Sequence, residues 1–297
     1  MPFRLEDADP TLGDAVRRIA LEQVQRAQRE ASEADLAPGH AIHQIRKRCK
    51  KLRGLIRMVR PGFPAYAEEN AAIRDLARGL SGLRDLEALI ETHDRLMARD
   101  EAEAGRFAPV RAALTRRKPD TTEQVGDDTR AALEALAQRI PAWKIKGKPR
   151  KALEGGLRKT WERAARAHDA CRQAPTAEAM HEWRKRVKYH WHHCRILTPV
   201  WPGPVGARAE EAKRLSDILG DHRDLALYSD YLASAEAPKL SPEAATDLGR
   251  IADRALADLE REAFALGARF FAEKHKRAAD RLAAFYRIWE AEPRRQA

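Results

Sequence analysis

Apolar residues recur at every third or fourth position along nearly the whole chain. That is the helical period, and the alternation expected of strands is nearly absent. Ala, Leu, Arg and Glu dominate and β-branched residues are sparse, which also suits helices. Prolines and glycines fall between the periodic stretches, at Pro38-Gly39, Pro61-Gly62, Pro141, Pro149, Pro175, Pro202-Gly203 and Pro242. The pattern predicts an all-α chain. Its helices are expected over 11–36, 40–60, 64–80, 82–104, 106–117 and 127–140. A basic linker follows at Lys144–Lys151, then helices over 150–173, 176–198, 204–218, 222–236 and 242–291, the last broken near Gly267.

Two stretches repeat. His43-Gln-Ile-Arg46-Lys47-Arg48-Cys49-Lys50 is answered by His181-Glu-Trp-Arg184-Lys185-Arg186-Val187-Lys188, an offset of 181 − 43 = 138. Leu80-Ser-Gly-Leu-Arg84-Asp85-Leu86 is answered by Leu219-Gly-Asp-His-Arg223-Asp224-Leu225, an offset of 223 − 84 = 139. Two motifs sharing almost one offset divide the chain into homologous halves, about 1–146 and 147–297. Such a repeat suggests pseudo-twofold packing.

On a helical wheel, Ile42, Ile45, Cys49, Leu52, Ile56 and Val59 form one apolar seam. His43, Arg46, Lys47, Lys50, Arg53 and Arg57 share a wedge roughly 120° wide beside that seam, not opposite it. Only Arg48 and Lys51 point well away. In the second copy Met180, Trp183, Val187, Cys194 and Leu197 make the seam, and His181, Arg184, Lys185, Lys188, His192 and Arg195 make the wedge. Most charge runs are solvated faces of mixed sign. Here no Asp or Glu occurs from His40 to Arg60. Like-charge neighbours such as Arg46–Lys50 and Arg53–Arg57 then cost about 1–2 kcal/mol in total unless an anion is present. A wedge adjoining the core seam lines a groove, where counter-charge concentrates. The wedges therefore read as an anion-binding face. A neutral His43 or His181 could donate to a phosphate oxygen, and protonation near the ordinary value of about 6.5 would strengthen the bond.

The Arg-Asp pairs follow glycine breaks at Gly82 and Gly220, so they read as helix starts, with Asp221 a good N-cap. An arginine at a helix N-terminus also suits phosphate. Both readings stand for Arg84 and Arg223. Asp85 and Asp224 fit orienting roles better than direct contact with an anion.

Composition narrows the class. The 297 residues hold 56 Lys and Arg against 45 Asp and Glu, so 56 − 45 = +11, which points to an anionic partner. Hydrophobic residues at 43% rule out a disordered polycation. Cys49, Cys171 and Cys194 form no close pair, which argues against a disulfide framework or zinc knuckle and fits a reducing cytoplasm. The N-terminal stretch lacks an apolar signal core, and no window is apolar enough to span a membrane. His190, His192 and His193 diverge on a helix and complete no ligand set, so neither metal nor cofactor is expected.

The repeated His-x-x-Arg-Lys-x-x-Lys helix, followed by Leu-Gly/Ser-x-x-Arg-Asp, resembles the CHAD family of conserved histidine α-helical domains. Leu266-Gly267-Ala-Arg269-Phe270-Phe271-Ala272-Glu273-Lys274 is similar to that family's last helices, so the resemblance spans nearly the whole chain as one domain. It implies two antiparallel four-helix bundles, related by pseudo-twofold symmetry around a basic groove or pore that binds inorganic polyphosphate. Association with cytoplasmic polyphosphate granules is implied too. The family's functional residues correspond to His43, Arg46, Lys47, Lys50, Arg53, Arg57 and Arg84, and to His181, Arg184, Lys185, Lys188, Arg195 and Arg223. The second copy departs at Trp191, where the first has Arg53, and at His190, where it has Leu52. Family members fused to a triphosphatase carry a Glu-x-Glu-x-Lys strand. Glu101-Ala-Glu103 lacks the lysine and lies in helical sequence, so a standalone, non-catalytic binding module is implied. The alternatives are a nucleic-acid-binding helical protein and, third, an enzyme acting on phosphoanhydrides.

Overall fold

The computed structural model describes residues 3–33, 38–80, 84–98, 105–117 and 125–293. Within them the chain is all-helical. Eleven α-helices run α1 (Leu12–Ser32), α2 (Pro38–Met58), α3 (Tyr66–Arg78), α4 (Arg84–Met97), α5 (Ala108–Arg116), α6 (Asp127–Arg139), α7 (Pro149–Gln173), α8 (Ala177–Leu197), α9 (Pro202–Leu232), α10 (Pro242–Phe270) and α11 (His275–Ala291). Glu101 and Glu103 lie outside the described residues.

Local chemistry sets several starts. Thr176 accepts from the Ala179 amide at 3.1 Å to cap α8, and Ser241 accepts from the Ala244 amide at 3.2 Å to cap α10. Proline occupies the first turns of α7, α9 and α10, where its missing N–H costs no helical bond.

Two boundaries differ from the sequence expectation. In place of the two helices expected over 204–218 and 222–236, parted at Gly220, there is one helix of 31 residues, Pro202–Leu232. Asp221 is therefore no N-cap but a mid-helix residue, and Arg95 of α4 donates to it at 2.5 Å. Successive partners bury α9 on different sides along its length, and that packing outweighs one glycine's preference. The last break, expected near Gly267, falls after Phe270, and Gly267 itself stays helical against the Trp183 ring.

Both seams are buried as drawn, Ile45, Cys49, Leu52 and Ile56 on α2 and Met180, Trp183, Val187 and Cys194 on α8. Three apolar clusters make the core. One joins α1, α2 and α6 to Leu153, Leu157, Ile196 and Leu282 from the second half of the chain. Another gathers Trp161, Trp183, Leu215 and Phe270 within the second half. The third sets Leu96, Phe107 and Leu114 against Leu225, Tyr228 and Leu248. Two of the three thus draw on both halves.

The contact that positions the site is the crossing of α2 and α8. A Cβ on Gly54 would lie 3.1 Å from His192, so a glycine there lets the helices approach this closely. His193, fully buried, bonds the Gly54 carbonyl through Nε2 at 2.9 Å.

Candidate anion-binding site

Beside the crossing a cavity lies among α2, α8, α4 and α9. This cavity of about 280 Å³ is lined by Arg46, Lys50 and Arg53 of α2, and by His181, Arg184, Lys185, Lys188, Tyr189 and His192 of α8. Ala88 of α4 and Arg223, Asp224 and Leu227 of α9 complete it. Seven of these residues are Lys or Arg, and Asp224 is the one carboxylate among them.

Helix ends and small residues aim the cations. Arg46 donates through Nη1 to the carbonyls of Ala77, at 3.1 Å, and Leu80, at 2.9 Å. These carbonyls belong to the C-terminal end of α3 and its exit, where a cation is favoured. Arg53 donates through Nε to Asn70 Oδ1 at 3.2 Å, again on α3. Across the cavity, the Arg184 guanidinium lies flat against α9 at Gly220, where a Cβ would come within 3.0 Å of Nη2. This is a structural use for the glycine that the sequence pattern assigned to a helix break. Lys185 and Arg186 both pair with Glu182 one turn earlier on α8.

The remaining wedge residues lie outside the lining. Arg57 turns inward and is 8% exposed; it donates to the Arg53 carbonyl at 2.8 Å and covers the Tyr189 ring at 4.2 Å. Burial lowers its pKa. Lys47 is exposed and His43 half-buried, neither on the cavity wall. Arg195 sits over the Trp191 ring at 5.3 Å. Arg84 and Asp85 open α4, and their side chains lie outside the described residues.

His181 and His192 are neutral in this field. Burial first, then Arg223, Lys185 and Arg184, pushes His181 down to about 4. Burial, reinforced by Lys188, Lys51 and Arg195, holds His192 well below its ordinary value. The protonation near 6.5 expected for His181 therefore does not occur in the anion-free site. His190 is drawn away to Arg208 and Cys194, at 3.0 and 3.2 Å, and His193 to Gly54. Among the described residues no group of three His, Cys, Asp or Glu is placed to hold a metal ion.

Tyr189 and Leu227 line the cavity although the sequence reading omitted them. Tyr189 lies just outside the wedge on the wheel, and Arg57 of α2 covers its ring. Chemically, the arrangement offers a dense set of fixed N–H donors, suited to charge-assisted bonds with successive anionic oxygens.

No curated protein matches this chain. A family model described as the CHAD domain matches residues 16–233, from α1 to the end of α9, and leaves the Leu266–Lys274 stretch outside the match. On that match, over well more than half its length, the chain belongs to the CHAD family.

Proposed function

We propose that this protein binds inorganic polyphosphate, without catalysis, in the cavity between α2 and α8. The carrying observation is the convergence of seven Lys and Arg residues, from three helices, on one cavity with a single carboxylate among its lining residues. Association of the CHAD family with polyphosphate agrees with this. Each repeat supplies one wall, α2 from 1–146 and α8 with Arg223 from 147–297, with Asp224 as an orienting residue. Arg84 and Asp85 at the start of α4 fill the corresponding roles for the first repeat. A linear polyanion meets both walls at once, with arginines giving paired bonds and lysines single ones. The site in the cytoplasm, and at polyphosphate granules, belongs to the same reading.

Nucleic acid is disfavoured by where the aromatic rings lie. Single-strand binders offer open faces for stacking. Here Tyr189 is covered by Arg57, while Lys188 and Arg195 stand over Trp191. A phosphoanhydride-cleaving enzyme would need carboxylates to hold Mg²⁺, and Asp224 alone does not make such a set. No helix in the described residues is long and apolar enough to cross a membrane.

The test is titration calorimetry with long-chain polyphosphate, and with single-stranded DNA matched in charge, over a salt series. Polyphosphate should bind tighter than the DNA, ATP or sulfate, and its affinity should fall steeply with salt. Affinity no better than for sulfate overturns the reading, as does phosphate release from the polymer in Mg²⁺.

A further inference from the structure

On the far flank of the α2/α8 crossing lies a lysine that the helical wheel points away from the basic wedge. Lys51 is 8% exposed, and its ammonium stands 5.4 Å from the centre of the Phe3 ring. The ring holds the ammonium in place without neutralising it. Among the described residues no carboxylate lies within ion-pair distance of Lys51 or Arg195. Arg48, the cation acting most strongly on Lys51, is itself paired with Glu30 of α1 at 2.5 Å. Buried cations are ordinarily paired.

His192 is the second, independent observation. It is 2% exposed, and neither ring nitrogen has a hydrogen-bond partner in the protein. Its ring packs edge-on to the same Phe3 at 5.7 Å and also forms part of the cavity wall. Its neutral imidazole has one N–H to donate. The cavity and this flank are also linked through Trp191, whose ring carries Lys188 of the cavity at 5.6 Å and Arg195 of the flank at 5.3 Å.

We infer that Lys51, Arg195 and His192 form a second anion subsite, which takes a phosphoryl group of a chain that has run past Lys188 out of the cavity. The subsite extends the polyphosphate reading of the cavity and rests on it. Phe3 is its apolar floor and Trp191 the wall it shares with the cavity. A short oligophosphate held by the cavity does not reach it; a long chain does.

Charge makes this subsite responsive to pH. Burial is the main cause that brings Lys51 down to about 7, reinforced by Arg48, Arg195, Lys47 and Arg26. The charges acting on it are those four cations, of which Arg48 is paired with Glu30, and His192 is neutral. Near pH 7 the ammonium is only partly protonated, so an arriving anion draws a proton from solvent.

The experiment titrates wild-type protein with long-chain polyphosphate and with tripolyphosphate at pH 6 and pH 8, in buffers of different ionisation enthalpy. For the long chain we expect proton uptake near pH 7 and affinity about tenfold weaker at pH 8, the worth of one charge-assisted contact. Lys51→Gln should drop long-chain affinity at pH 6 to the pH 8 level and remove the uptake, leaving tripolyphosphate within about twofold. Lys51→Arg, which keeps the charge but does not titrate, should bind the long chain equally at both pH values. It also serves as the test if Lys51→Gln fails to fold. Long-chain binding and pH response unchanged in Lys51→Gln overturn the subsite, and so do equal losses for both ligands. Wild-type protein that binds neither phosphate ligand overturns the cavity reading itself, and the subsite with it.

Discussion

The helices α2 and α8 share the His-x-x-Arg-Lys pattern, at His43 to Lys47 and His181 to Lys185, and hold their cations differently. On α2 the orienting groups come from outside, as the α3 carbonyls grip Arg46 and Asn70 grips Arg53. On α8 they come largely from within: Glu182 pairs with Lys185 and Arg186, and Trp191 carries Lys188 and Arg195. At the offset of 138, Gln44 answers Glu182, Lys51 answers Tyr189, Arg53 answers Trp191 and Gly54 answers His192. The last pair meets at the crossing itself, the small residue of one helix against the ring of the other. The α8 wall thus sets rings and an internal acid among its cations, where α2 carries no acid of its own between His40 and Arg60. Divergence between the copies makes their contact complementary, which two identical copies would not achieve.

The largest effect should come from reversing one charge on each wall. Lys50→Glu with Lys188→Glu places two carboxylates in the cavity. Polyphosphate affinity should fall roughly 1,000-fold, about 4 kcal/mol, with the far-ultraviolet circular dichroism unchanged. Each single variant, Lys50→Glu or Lys188→Glu, should cost less than the pair and leave measurable binding. The two single losses, compared, measure how much each wall contributes.

Next comes acid sensitivity, which belongs to the α8 side; the residue answering His193 at 193 − 138 = 55 is Leu55. Burial is the main cause that holds His193 down to about 4, against about 6.5 unfolded. The unfolded chain therefore binds the proton first. The contribution to stability is complete above pH 6.5 and is lost as pH falls toward 4, about 3 kcal/mol. Urea unfolding at pH 7 and pH 4 measures it, and His193→Gln should remove that share of the slope. A smaller effect is expected at Gly220, where a methyl group would push Arg184 out of line. Gly220→Ala should weaken polyphosphate binding about fivefold, roughly 1 kcal/mol, with little loss of stability. An unchanged affinity would show that Arg184 contributes charge but no fixed geometry.

The sequence reading succeeds where one periodicity decides the outcome. The seams of α2 and α8 are legible because a 3-4 spacing has only one buried side, and the cations beside them inherit a place near the crossing. It fails where neighbours decide. The helix α9 continues through Gly220 because α4, α8 and α10 bury it on changing sides, so it shows no single apolar stripe for a break to interrupt. Arg57 belongs to the wedge by angle, yet the Tyr189 ring from the other half of the chain draws it inward. Lys51 points away from the wedge by angle, yet Phe3 and Arg195 give it buried company. The neutrality of His181 depends on Arg223, some forty residues distant in sequence, and on burial that the wheel does not report.

The finest difference between the walls is the single acid inside α8. Burial works to raise the Glu182 carboxyl, and Lys185 and Arg186 overcome that, so its pKa ends below the ordinary value. It is therefore a full negative charge at neutral pH, one turn from the cavity lining, and it holds Lys185 in a pair that an incoming anion must loosen. Exposed pairs of this kind are worth little to stability, so Glu182→Gln should leave the melting temperature nearly unchanged. Its effect should appear in binding instead: Lys185 is released and one repulsive charge is removed, and polyphosphate affinity should rise about threefold, less than 1 kcal/mol. Gln44→Glu, the reciprocal change on α2, should loosen binding by a similar factor, because it gives the first wall the internal acid of the second. If Glu182→Gln weakens binding, Glu182 orients Lys185 toward the anion and is part of the site's geometry. If neither variant has an effect, the contrast between the walls lies in their aromatic rings and not in their charge.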